Sequence, residues 1–225
     1  MVSLVPSVTE TLLAWDVIPV ACTRFCEQPD LPHVGGTKTP DVAGIIDLRP
    51  DLVVLCVEEN RREDADALSD AGVATAALSI DGVADVAPAL RTLAELVGVD
   101  PDRVEEIDRV PPTGDDRLRA FVPVWKRPWM SLAGGTYGSS LLAAIGVDNV
   151  FADAEDRYPT VTLESAGARR PDVVLAPSEP YPFGERHVPL LDGVAPVVLV
   201  DGQDLFWWGV RTPAAAARLR RQLWR

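Results

Sequence analysis

At 225 residues, 47% hydrophobic and 24% charged, the chain has the composition of a soluble globular protein, long enough for one large domain or two lobes. No apolar run approaches the ~18 residues that a membrane span needs, and a net charge of −13 argues against a nucleic-acid partner, which requires a basic footprint. Of 21 basic residues only Lys38 and Lys126 are lysine, set against 34 acids, a pattern shared by salt-adapted proteins and by chains from GC-rich coding sequences.

The opening residues MVSLVPSVTE show neither a basic region nor a cleavage-like segment. The chain as it stands is therefore expected in the cytoplasm; a periplasmic or extracellular place would need a leader upstream. VSLV reads as a first strand, and Ser7 with Glu10 as a capping box for a helix carrying Leu12 and Leu13. VIPVACT, DLVVLC and VATAAL are the next strands, followed after the middle by AFVPVW, DVVLA and APVVLV. Runs apolar on both faces, separated by helix-length segments, predict an α/β fold with parallel sheets covered on both sides. Two stretches echo each other, DLRPDLVVLCVEENRRED and GARRPDVVLAPSEPYPF: a helix end, Arg-Pro-Asp, a strand, then an acidic loop. A duplicated α/β unit explains the echo. Between them, VGVDPDRVEEIDRVPPTGDDRLRA starts as a helix at Pro101, runs to about Asp108 and breaks at Pro111–Gly114. The expected organisation is an N-terminal lobe over 1–97, a connecting helix or hinge over 98–119, and a C-terminal lobe over 120–225.

In open parallel sheets ligands bind beyond the carboxyl ends of the strands, which would put CVEEN and APSEPYPF on opposite walls of one cleft. Glu58, Glu59, Asn60 and Arg61 are expected to begin a helix. The two acids either favour its positive end or face a ligand, alongside Glu179. All aromatics except Trp15 and Phe25 lie at or after Phe121. Trp129, Tyr137, Tyr158, Tyr181, Phe183, Trp207 and Trp208 follow strands, where they are either core or the apolar lining of a site for a flat ligand, with Phe25 their counterpart on the first lobe. AGGTYGSS, which contains Thr136 and Tyr137, is Gly-rich before a helix and suits an anion, but it lacks the lysine of a nucleotide-binding P-loop. Arg211 is expected to pair with Asp201. Cys22, Cys26 and Cys56 read as buried free thiols suited to a reducing compartment; Cys22 and Cys26 with His33 match no zinc spacing. There is no nucleophile elbow, His33 and His187 stand in dissimilar loops, and His187 is expected on the surface.

Taken in order, SLVPSVTETL, CTRFCEQP, VGGTKTPDVAGIIDLRPDLVVL, EENRRED, PWM, GGTYGSSLL, RYPTVTLE, PDVVLAPSEPYPF and VDGQDLFWWGVR strongly resemble the helical-backbone metal receptors. These class III periplasmic-binding-protein-like chains include the cobalamin- and ferric-siderophore-binding components of ABC importers, and the chain looks most like the cobalamin-receptor-like branch. The resemblance implies two Rossmann-like lobes joined by a helix, holding a corrinoid (cobalamin-like) or metal-chelate ligand without changing it. The candidate ligand-binding set is Phe25, Cys26, Lys38, Glu58, Glu59, Asn60, Trp129, Thr136, Tyr137, Tyr158, Glu179, Tyr181, Phe183, Trp207, Trp208 and Arg211, with no metal ligands assigned. Importer receptors of this kind also offer a permease one acid per lobe. Glu164 matches the second, but Ala43 stands at the first, so docking on an ABC permease is not expected. The alternative is a cytoplasmic enzyme or metallochaperone using the same cleft.

Overall fold

The structure, a computed structural model, describes residues 1–105 and 117–224. Strands β1 (Val2–Ser3), β2 (Ala21–Cys22), β3 (Val53–Cys56) and β4 (Thr75–Leu78) form one sheet in the order β2-β1-β3-β4, every pair parallel. Helices α1 (Pro6–Ala14), α2 (Val42–Asp47), α3 (Arg62–Asp70) and α4 (Val83–Val97) alternate with them. The β-branched run Val53–Val54 sits at the centre of this sheet, and all of β3 is buried. Val2, Leu4, Ala21, Ile45, Val53, Leu55 and Leu68 close a core beside it. On α4 the buried positions are Val86, Leu90, Leu93 and Ala94, the spacing of one helix face.

The second sheet is built the same way. Strands β5 (Leu118–Phe121), β8 (Val147–Asn149), β9 (Val173–Pro177) and β10 (Val197–Val200) run parallel in the order β10-β9-β5-β8. The single run expected over AFVPVW divides here. Phe121 ends β5, and Pro123, which has no N–H for a central ladder, opens β6 (Pro123–Trp125), which pairs antiparallel with β7 (Met130–Ser131). The helices are α5 (Tyr137–Ala144), α6 (Leu163–Ala168), α7 (Val188–Leu191), α8 (Gly202–Phe206) and α9 (Thr212–Leu223). Phe121, Phe151, Val174, Ala176, Phe183 and Leu191 lie in the core of this sheet.

The sequence echo is a structural echo. Both α2 and α6 are six residues long and N-capped by a side chain, Asp41 on Gly44 N and Thr162 on Ser165 N. Each is followed by an arginine in the left-handed region, Arg49 at φ 45° and Arg170 at φ 53°, and then by Pro-Asp and a buried strand. A left-handed residue closes the helix, and the proline after it prevents the helix from resuming.

Contacts divide the chain into two compact units. Met1–Ile80, Ala84–Glu105 and the tripeptide Trp208–Val210 form the first; Asp81–Val83, the described residues from 117 to Trp207, and those from Arg211 onward form the second. The tripeptide is held to α1: Val210 N donates to Thr11 Oγ1 at 3.3 Å. Gly209, at φ 126°, has no room for a side chain, since a Cβ would lie 2.4 Å from that same oxygen.

Two local expectations are corrected. Helix α1 begins at Pro6, whose fixed φ and missing N–H suit the first helical position, so its N-cap is Val5 with no side-chain bond. Ser7 is therefore inside the helix rather than capping it, and its Oγ is buried without a hydrogen-bond partner among the described residues. In the expected connecting helix, Pro101–Arg103 is a single 3₁₀ turn capped by Asp100, and Val104 is already extended. The rest of that helix and the Pro111–Gly114 break lie outside the described residues.

Candidate ligand site

In the second unit, two loops at strand ends carry most of the chemistry. Strand β9 is buried throughout and stops at Pro177; Pro180 and Pro182 keep the chain from pairing again, and a 3₁₀ turn follows at Glu185–His187. The β6–β7 connection carries Lys126, Arg127, Pro128 and Trp129, with Arg127 in the left-handed region at φ 74°. Rings from the two loops meet. Trp125 packs edge-on to Tyr181 with centroids 5.5 Å apart, Tyr181 lies 4.7 Å from Phe183, and Trp129 stacks on Phe183 at 6.0 Å and 6°. Phe183 is the buried anchor of this group, whereas Trp125 keeps 43% of its surface exposed, and Trp129 and Tyr181 are half-buried.

His187 is buried against the same rings rather than on the surface as expected, 5.4 Å from Tyr181 and 5.5 Å from Phe183. Its Nδ1 accepts from Gly184 N at 3.1 Å, and its Nε2 lies 3.5 Å from the Tyr181 hydroxyl. Burial first, then the charges of Arg186 and Lys126, hold the imidazole below its ordinary range. A cavity of about 300 Å³ opens here, lined by Lys126, Arg127, Tyr181, Arg186 and His187.

The Tyr181 loop also organises Trp207. The indole Nε1 donates to Glu179 Oε1 at 2.7 Å, and the Arg211 guanidinium lies over the ring at 5.1 Å. Arg211 reaches Asp204 at 3.4 Å and Gln203 at 3.2 Å, while Asp201, its expected partner, accepts from Gln203 N as the cap of α8. Asp204 is buried, and Arg218 reinforces it with a bond of 2.6 Å from Nε. Gly202 fits against Glu179 because a Cβ there would lie 2.5 Å from the Glu179 backbone nitrogen.

In the first unit, the expected residues gather around the carboxyl ends of β1–β3. Glu58 and Glu59 are half-buried in a turn, not in a helix: α3 starts only at Arg62, with Glu63 and Asp64 in its first turn. Lys38 Nζ donates to the Glu58 carbonyl at 2.6 Å. Phe25 is 50% exposed beneath the Arg24 guanidinium, and Gly36 makes room for both.

Several predicted contact residues prove to be internal. Asn60 is buried; its Oδ1 accepts from Cys56 N at 2.8 Å, and its Nδ2 donates to Leu4 O at 3.2 Å and Thr37 O at 3.0 Å. Cys26 is buried between the hydroxyls of Thr9 and Thr23, each 3.2 Å from its sulfur. Thr136 caps α5. Tyr137 is buried with its hydroxyl 3.0 Å from Thr212, and burial pushes its pKa up. Trp208 is 3% exposed and belongs to the first unit, while its neighbour Trp207 belongs to the second. Tyr158 remains exposed. Sequence reasoning missed Trp125, Lys126, Arg127, Arg186 and His187. One signal was available: Lys126 is one of two lysines in the chain and stands beside Arg127 between two tryptophans. Among the described residues, no three His, Cys, Asp or Glu side chains gather as a metal site, and no helix is long and apolar enough to cross a membrane.

Known proteins are similar to this chain in sequence and in fold. The vitamin B12-binding protein of Salmonella typhi is 24% identical over 189 residues, covering 78% of this chain and 71% of that protein. The corresponding protein of Vibrio cholerae is 25% identical over 191 residues, covering 78% and 69%. Among solved structures, the periplasmic haem-binding protein HutB of Vibrio cholerae superposes with a TM-score of 0.84 at 18% identity, covering all of this chain and 98% of that one. The periplasmic vitamin B12-binding protein BtuF of the same organism gives 0.78 at 20% identity, over 99% and 95%. Relatives of this kind are solute-binding proteins rather than enzymes. A family model described as periplasmic binding protein matches residues 1–186, and with two parallel-sheet units of this kind the chain belongs to that family.

Proposed function

We propose that this protein binds a planar metal chelate, a corrinoid or a related tetrapyrrole, against aromatic surface at the carboxyl ends of its strands and releases it unchanged. The carrying observation is the partly exposed ring cluster of Trp125, Trp129 and Tyr181, seated on the buried Phe183. Flat apolar faces on rigid, proline-fixed loops suit a macrocycle, and Glu179 fixes a further indole at Trp207 by a charge-assisted bond. The relatives named for vitamin B12 and haem support this ligand class. In the first unit, Phe25, Lys38, Glu58 and Glu59 are the contact residues this reading assigns. The test is titration of the purified protein with cyanocobalamin and with haemin, followed by absorption and by tryptophan quenching. Saturable binding of one of them, weakened by Trp129→Ala, is expected; no binding of either overturns the reading.

The same reading extends to place and partner. Three buried thiols, all unpaired, suit a reducing compartment, and we assign the protein to the cytoplasm, where it stores or hands over its ligand. Ala43 and Glu164 occupy the same second position of the echoed helices α2 and α6, both exposed, so only one of the two carries an acid for a permease. Fractionation of native cells tests this: recovery in the periplasm, or co-purification with an importer, overturns it.

A further inference from the structure

The chain carries 34 acidic residues against 21 basic ones, yet Lys126, Arg127 and Arg186 converge on one cavity. Several other arginines of the described residues meet carboxylates, Arg61 with Asp64, Arg117 with Asp148, Arg169 with Asp153 and Arg218 with Asp204, and those that do not, such as Arg49 and Arg221, do not line this cavity. Among the described residues, no carboxylate comes within ion-pair distance of Lys126, Arg127 or Arg186. Like charges brought together without a counter-charge repel, and an anion between them removes that repulsion.

The neutral groups of the cavity point to the same ligand chemistry. Gly184 N–H donates to Nδ1 of His187, so in the neutral imidazole the proton sits on Nε2. That proton faces the Tyr181 oxygen, 3.5 Å away, which therefore accepts from the ring and turns its own O–H outward. Every polar side chain lining the cavity then offers a donor. A cavity of about 300 Å³ is at the small end for a whole organic ligand and has the size of a subsite for one arm of it.

We propose that this cavity is a subsite for an oxyanion carried on the ligand, a carboxylate or phosphate arm, with Lys126, Arg127 and Arg186 supplying charge and the Tyr181 hydroxyl donating a directed hydrogen bond set by His187. The inference rests on the proposed ligand class for the arm's attachment, and the tests separate the two. Haemin is compared with its dimethyl ester, which lacks free carboxylates, and cobalamin, which bears a phosphate, with cobinamide, which does not. The acid-bearing member of at least one pair is expected to bind roughly tenfold or more tightly, as a charge-assisted hydrogen bond implies. Arg186→Ala and Lys126→Ala reduce that preference. His187→Leu also reduces it, and His187→Gln, which can accept from Gly184 and donate to Tyr181, restores it. The favoured pair identifies the arm as carboxylate or phosphate. Equal binding within both pairs overturns the oxyanion subsite while leaving tetrapyrrole binding intact. Should no macrocycle bind, inorganic phosphate titrated into the protein still decides: a saturable change in the His187 ring NMR signals, lost in Arg186→Ala, supports the subsite, and no change overturns it.

Discussion

Asn60 provides the sharpest separation of a structural from a ligand-binding role at the first unit's strand ends. Its amide joins the ends of β1 and β3 to the loop at Thr37 through three bonds, of which those to Cys56 N and Leu4 O are buried and that to Thr37 O is partly buried. Asn60→Ala leaves the Cys56 N–H and the Leu4 carbonyl without partners. A buried group orphaned in this way costs about 1–3 kcal/mol, and water replaces the third bond at little cost, so for the two groups a loss of about 2–6 kcal/mol is expected. That is a large share of the 5–15 kcal/mol typical of a folded domain. Asn60→Asp keeps the shape and the acceptor for Cys56 but sets an oxygen against two carbonyls. It is expected to be at least as damaging at pH 7 and to recover partly in acid, as the carboxyl gains a proton. Urea unfolding measures the loss, with amide exchange in β3 assigning it to the first unit. A loss below about 1 kcal/mol in both variants, accompanied by weaker ligand binding, would refute the structural assignment.

Trp208→Ala should cost about 3–5 kcal/mol, since the indole is 3% exposed and its removal leaves a core cavity; a near-neutral effect in urea unfolding counts against that packing. His187, surrounded by Tyr181, Phe183, Gly184, Arg186 and Lys126, has its folded pKa held below the unfolded value of about 6.5. Its contribution is thus present above the unfolded pKa and lost as pH falls through the folded one, so wild-type Tm should fall more steeply than that of His187→Gln from pH 7 to 5. Equal slopes contradict it. Burial pushes the Cys22 thiol up to about 12, with Cys26 adding to the effect, and pushes Cys56 up to about 11, so labelling by a thiol reagent at pH 8 should wait for unfolding; rapid labelling of either disproves this. With acids in such excess, Tm should rise between low and molar potassium chloride, and a flat or falling trend rejects the repulsion argument.

The parallel α/β architecture was legible because β-branched runs such as Val53–Val54 are apolar on both faces, and because Arg-Pro-Asp marks the same helix-to-strand switch twice. Strand β8 was not, being three residues long with Asp148 in the middle, too short and too polar to register as an apolar run. The division of the aromatics was equally hidden. Trp207 and Trp208 are adjacent in sequence, yet one donates a hydrogen bond to Glu179 of the Tyr181 loop and the other packs with α1's unit, because Gly209 lets the chain approach Thr11 closely. Periodicity is blind to such a step, since it depends on a contact between residues about 200 positions apart. Likewise Asn60 reads as a polar loop residue until the carbonyls of Leu4 and Thr37 are seen to converge on it.

Charge balance explains why an oxyanion subsite in this chain must act at short range. With a net charge of −13, the field far from the surface repels an anionic ligand. At physiological ionic strength that field decays over roughly 8 Å, leaving the cavity's own cations to act at contact. An acidic arm would therefore be captured slowly and held by Lys126, Arg127 and Arg186 once inside. The two effects respond oppositely to salt. Screening speeds the encounter by weakening the general repulsion, and it loosens the hold of the exposed Arg127 and Arg186 while acting less on the half-buried Lys126. An excess of acid on the surface and a pocket of donors within it are thus compatible: the first sets how often the ligand arrives, and the second how long its arm stays.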